Sequence, residues 1–195
     1  WAGREGPLLL WVAMLGVLLY VDGDRHQLES ENQYKMRLRL LIGFSMTLLV
    51  IALLLDPFRL TPDVNASRPG LNALLQTDLM VIHPPMVFAF YTLCVGVGLH
   101  AITAALCPGK PARERILHLA RPALFVGTLG VGLGGLWAYT VLDWGGYWAW
   151  DPVETGSILP WLALILLLHF RLPKGMASKD RWYIGLGILP AFFAI

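Results

Sequence analysis

From its N-terminus the chain alternates long apolar runs with shorter polar segments. Apolar stretches occupy residues 6–21, 38–55, 86–106, 122–142 and 154–171, and a sixth opens at Tyr183. Each full stretch is close to the ~20 residues that a helix needs to cross the hydrocarbon core of a bilayer. The pattern predicts an all-α integral membrane protein, a polytopic helical bundle with about six transmembrane helices. Two polar segments break it. Residues 56–85, "DPFRLTPDVNASRPGLNALLQTDLMVIHPP", are rich in Pro, Asp, Asn and Ser and read as an irregular loop with one short helix around 71–77. Residues 143–154, "DWGGYWAWDPVE", place three tryptophans, a tyrosine and three carboxylates in twelve positions.

Charge then orients the spans. The segments 22–39, 107–121 and 171–181 hold twelve of the fifteen Lys and Arg residues, and Arg4, Arg59 and Arg68 are the other three. By the positive-inside rule the N-terminal "WAGREG", the loop 56–85 and the tryptophan segment share the outer face. Composition agrees with the membrane class, at 56% hydrophobic and 14% charged residues. The net charge of +2 identifies no partner beyond the lipid bilayer, and nothing in the chain reads as a nucleic-acid site. Cys94 and Cys107 are neither a C-x-x-C pair nor a metal pattern and read as structural thiols. The chain reads as a single membrane domain, part of a longer or split protein, since it begins without Met and stops inside an apolar run.

Trp137, Trp144, Trp148, Trp150 and Trp161 fall within 25 residues. Two readings stand: an aromatic belt at the headgroup level, or a platform for a planar, largely apolar ligand, with glycines allowing close backbone packing. Asp151, followed by Pro152, suits the N-cap of the helix that begins there, and Glu154 suits its first turn. Such a cap also fixes the loop that presents the rings.

His83 precedes Pro84 and Pro85, which push it toward extended geometry just before a span. It shares the outer face with the aromatic loop and is a hydrogen-bonding group or an axial ligand of haem iron. His169 lies some 20–25 Å deeper than Glu154 at ~1.5 Å per residue. An ionisable group inside a span is a functional candidate by default, so a cofactor bound there is a second one. His100 suits a polar partner for a neighbouring helix, and His26 and His118 read as solvated residues of basic inner loops.

"WGGYWAWDPVETGSILPWL" resembles the tryptophan-rich WWD signature of haem-handling proteins in cytochrome c maturation. "WAGREGPLLLW", "GLNALLQ" followed by "VIHPPM", and the "DPVE…PWL" ending are similar to the CcmF branch, the cytochrome c-type haem lyase subunit. CcsA-type synthases continue with Lys-Glu after Asp-Pro, and CcmC proteins depart after "WD". The resemblance covers nearly all of the chain, with 143–161 as its haem-handling segment. It implies that Trp144, Trp148, Trp150 and Asp151 belong to a loop that packs against haem delivered by the haem chaperone CcmE. It implies that His83 is one of two outer axial ligands to the substrate haem. It further implies that His169 helps to bind a separate haem b in the membrane. The second ligand of each haem lies, in that family, beyond the equivalent of Ile195.

The activity implied is haem lyase: attachment of haem to Cys-x-x-Cys-His of apocytochrome c, in a complex with other cytochrome c maturation subunits. No residue is singled out as an acid–base catalyst. The implied location is the cell inner (plasma) membrane with the WWD loop on the periplasmic side, or an organellar inner membrane. The alternatives are a non-catalytic haem-binding or transfer component of the same system, and a quinone-linked membrane protein with a structural aromatic belt.

Overall fold

A computed structural model describes residues 5–23, 28–58, 76–107, 109–141, 146–171 and 179–195. Helices are the regular elements among them: α1 (Glu5–Gly23), α2 (Glu31–Leu54), α3 (Leu79–Leu106), α4 (Arg113–Val141), α5 (Pro152–His169) and α6 (Lys179–Ala194). The first five are long and apolar enough to cross a membrane. Helices suit that solvent because every backbone polar group inside them finds a partner within the segment. The protein is a polytopic helical bundle.

α3 is the central element, packed on α1, α2, α4 and α6, while α5 packs on α4 and α6. One apolar core joins α3 to α4, α5 and α6 through Phe90, Val97, Ile116, Leu164 and Tyr183. A second joins α1, α2 and α3 around Trp11, whose ring meets Phe44 edge-on at 5.7 Å. α3 and α4 approach closely because residue 127 has no side chain: a Cβ there would lie 2.6 Å from the Phe90 ring.

Three helices, α2, α3 and α4, begin roughly two turns ahead of their apolar runs, each for a local reason. α2 starts at Glu31 because Ser30 caps it, with the Ser30 hydroxyl and the Gln33 side chain forming a reciprocal capping box. α4 starts at Arg113, so most of the supposed basic loop is helical. Its buried face there includes Arg115, Ile116, Leu119 and Ala120. His118 is thus a half-buried helical residue, not a solvated loop residue, because one face of this extension packs into the bundle.

α3 starts at Leu79, so His83, Pro84 and Pro85 are helical. This corrects the expectation of extended geometry at His83. A proline disfavours helical backbone at the residue before it but does not forbid it, and packing of the His83 ring against α4 holds the turn. The short helix expected around 71–77 falls largely outside the described residues, and 76–77 are not helical.

Candidate functional site

Consecutive helices run in opposite directions, which gives the bundle two ends. At one end α4 presents Gly130, Gly132, Gly134 and Gly135 over less than two turns. His83 of α3 lies against one face of these turns: its Nδ1 is 3.0 Å from the Gly130 carbonyl oxygen. A Cβ at residue 134 would come within 2.9 Å of its ring. The Trp137 indole meets the imidazole edge-on, with ring centroids 5.6 Å apart at 86°. A carbonyl can only accept, so Nδ1 carries the proton and Nε2 keeps its lone pair. That tautomer is the one a metal ligand needs, fixed by a backbone partner.

The tryptophan segment packs on another face of the same turns. The Tyr147 hydroxyl donates to the Gly132 carbonyl, and a Cβ at residue 135 would lie 2.9 Å from the Tyr147 ring. A cleft of about 230 Å³, lined by Thr128, Val131, Gly132, Tyr147, Trp148 and Trp161 among others, separates loop from helix. Trp161 donates from Nε1 to Thr128 Oγ1 at 2.9 Å and fixes α5 to α4 beside it. His83 and the loop thus share a level of the bundle and flank α4 from separate faces.

The end of the loop is held by a reciprocal clasp. Asp151 is the N-cap of α5 and its Oδ1 accepts from the Glu154 backbone N–H at 2.6 Å, with Pro152 in the first turn. Glu154 reaches back, and its Oε2 accepts from the Ala149 and Trp150 N–H groups, each at 2.8 Å. Between them Trp150 takes a left-handed φ of 59°, a conformation that costs a non-glycine residue about 1 kcal/mol or more. The clasp over-determines it. Trp150 is consequently 68% exposed and meets Trp148 edge-to-face at 6.0 Å. Trp148 Nε1 and Glu154 Oε1 are buried without a hydrogen-bond partner among the described residues. Trp144 lies outside the described residues.

His169 is the last residue of α5, at the opposite end of the bundle, exposed, with Nδ1 2.9 Å from the Ile165 carbonyl. Here too the donor must be Nδ1, which leaves Nε2 unprotonated. Phe170, Trp182 and Tyr183 form an aromatic group next to it. At roughly 1.5 Å per residue, α5 separates it from the loop by about 25 Å.

The sequence reading did not foresee a buried ionic cluster at this second end. Arg37 bonds Asp22 at 2.8 Å and Glu29 at 3.0 Å, and the His100 ring lies 3.0 Å from each of those carboxylates through its two nitrogens. The Arg115 guanidinium closes the group 3.7 Å from Glu29. Burial pushes the Glu29 carboxyl upward, but hydrogen bonds from His100 and Arg37 outweigh it and hold the group below the ordinary carboxylate range. His100, a polar residue within an apolar run, was the one signal of this cluster.

Residues 1–194 match the family model described as cytochrome C assembly protein. The chain belongs to that family. It is 35% identical over 201 residues to a probable cytochrome c-type biogenesis protein NrfE of Escherichia coli strain K12, a match covering 100% of this chain and 36% of that relative. It is 32% identical over 197 residues to the cytochrome c-type biogenesis protein CcmF of Haemophilus influenzae, covering 97% of this chain and 30% of that one. The CcmF protein of Escherichia coli K12 is likewise 32% identical over 198 residues, with 96% and 30% covered. This cytochrome c assembly chain spans about a third of the length of these curated relatives. No solved structure matches it.

Proposed function

We propose that this cytochrome c assembly chain binds haem at the loop end of its bundle and takes part in attaching it to the Cys-x-x-Cys-His segment of apocytochrome c. The observation that carries the reading is the juxtaposition on α4. An imidazole whose tautomer leaves Nε2 free sits at the same two turns that hold the tryptophan loop. Relatives named as cytochrome c-type biogenesis proteins support the setting, cytochrome c maturation in a membrane.

In this reading the loop end faces the periplasm at the inner membrane, or its organellar equivalent, where the haem chaperone CcmE delivers the substrate. Trp148 and Trp150, with Trp144, supply flat apolar surface, and the clasp of Asp151 and Glu154 keeps it presented. His83 supplies one axial nitrogen, and a partner imidazole comes from the remainder of the protein or another maturation subunit. Each thioether forms by addition of a substrate thiol across a haem vinyl group, sulfur to one carbon and hydrogen to the other, so no oxidant is consumed. The chain's part is positioning, which alone lowers barriers substantially. His169, with its free Nε2, would hold a haem b that supplies electrons to keep the substrate iron ferrous.

The test is His83→Ala in the full-length protein, followed by absorbance and resonance Raman spectra of the co-purified haem. The substrate haem signal should fall at least tenfold while the signal assigned to His169 remains. Survival of both signals unchanged would overturn the ligand assignment.

A further inference from the structure

At the charged end a cleft of about 270 Å³ opens between the first turns of α2 and the end of α3. Asn32, Lys35 and Arg39 line it together with Met36, Leu106 and Cys107. Positions 32, 35, 36 and 39 recur at helical spacing and therefore share one face of α2. Arg39 is exposed, and it is the last charge before an uncharged run that continues to Leu55. Among the described residues it has no ion-pair partner. Lys35 pairs with Glu31 one turn back, outside the lining, and its ammonium has two further protons to offer.

The same face continues upward as apolar surface. Ile42, Met46 and Val50 follow Arg39 at spacings of three and four residues and are 52%, 55% and 52% exposed. From Arg39 to Val50 the rise is ~16 Å, about the hydrocarbon depth of one leaflet. Leu106, 58% exposed, adds apolar wall across the cleft. Cations at the rim of an apolar stripe one leaflet deep match the two halves of one molecule. The neighbouring buried guanidinium, Arg37, does not compete, because Asp22 and Glu29 already neutralise it.

We propose that this cleft is a binding site for an anionic phospholipid. Arg39 and Lys35 hold the phosphate, Asn32 donates to a headgroup oxygen, and one acyl chain lies along Ile42, Met46 and Val50. A zwitterionic headgroup would set its own cation beside Arg39, so the site discriminates by charge. Because the cleft is formed by α2 and α3 together, the lipid ties a peripheral helix to the central one.

The full-length protein in lipid nanodiscs, analysed by native mass spectrometry, tests this. Wild type should retain phosphatidylglycerol in preference to phosphatidylcholine. Lys35→Gln with Arg39→Gln should weaken that binding about 25-fold, since each cation near an anionic surface contributes about fivefold. Arg39→Lys should retain most of it. Equal retention of the two lipids, or no loss in the double variant, overturns the proposal. Displacement by excess inorganic phosphate would show a free-anion site instead. A photoreactive residue at Met36 that captures a protein segment and no lipid would show a protein-covered face; either outcome overturns the lipid assignment.

Discussion

α3 carries a histidine near each end, and the two could hardly be used more differently. His100 has both ring nitrogens against carboxylates, within a five-group cluster that draws on α1, α2 and α4 as well as the turn before α2. It has no valence left for a ligand. His83, about 26 Å away along the helix, bonds a backbone carbonyl through one nitrogen, and the other makes no hydrogen bond among the described residues, beside an exposed indole loop. One end spends its polar groups on joining helices; the other holds its polar groups ready. Residue type alone does not separate the two histidines; what the second nitrogen meets does.

The largest effect that sharpens this contrast is expected from Arg37→Leu. It leaves Asp22 and Glu29 buried without their guanidinium, which should cost about 3–5 kcal/mol, read as a large fall in thermal midpoint in detergent. Folded material should still bind haem at the loop end; loss of haem before loss of fold would break the separation between the ends. Glu154→Ala should act in the opposite way. Two backbone N–H groups lose their acceptor, at about 1–3 kcal/mol, and haem affinity should fall more than the thermal midpoint, with partial recovery in Glu154→Gln.

A smaller and more local effect is expected from glycine substitutions on α4. Gly134→Ala places a methyl 2.9 Å from the His83 ring and should displace it, at about 1–3 kcal/mol for overpacking. Gly132→Ala meets Tyr147 only at an ordinary 3.7 Å and should be tolerated. Equal haem spectra for the two variants would argue against His83 as ligand. The smallest effect is that of acid. The Glu29 carboxyl is held below its unfolded value, so its contribution is fully present above that unfolded value, near ~4.3. It is lost as pH falls through the lower folded value. A thermal midpoint that drops in that window for wild type, and less for Glu29→Gln, checks the assignment.

The helices and their order were legible because apolar runs of membrane length leave little choice. Their starts were not, since α2, α3 and α4 each extend through polar residues that a cap or a packed face accommodates. The Asp151 cap could be read directly, because Asp-Pro before an apolar run is a local signal. The backward reach of Glu154 and the φ of Trp150 could not, because they depend on how the loop closes. The ionic cluster was hidden for a different reason: His100 lies 71 and 78 residues from its two carboxylates. Basic residues counted as loop charges, Arg37 and Arg115, turned out to be buried.

Pro84 and Pro85 lack the N–H groups that would close the helix onto the carbonyls of Met80 and Val81. The stretch of α3 around these prolines is therefore the least costly place for that helix to articulate, and His83 sits immediately ahead of them. A tilt of a few degrees there would swing the imidazole relative to the glycine turns of α4 while the ionic cluster, anchored far below, stays still. The loop end of the bundle can thus shift without loosening its base.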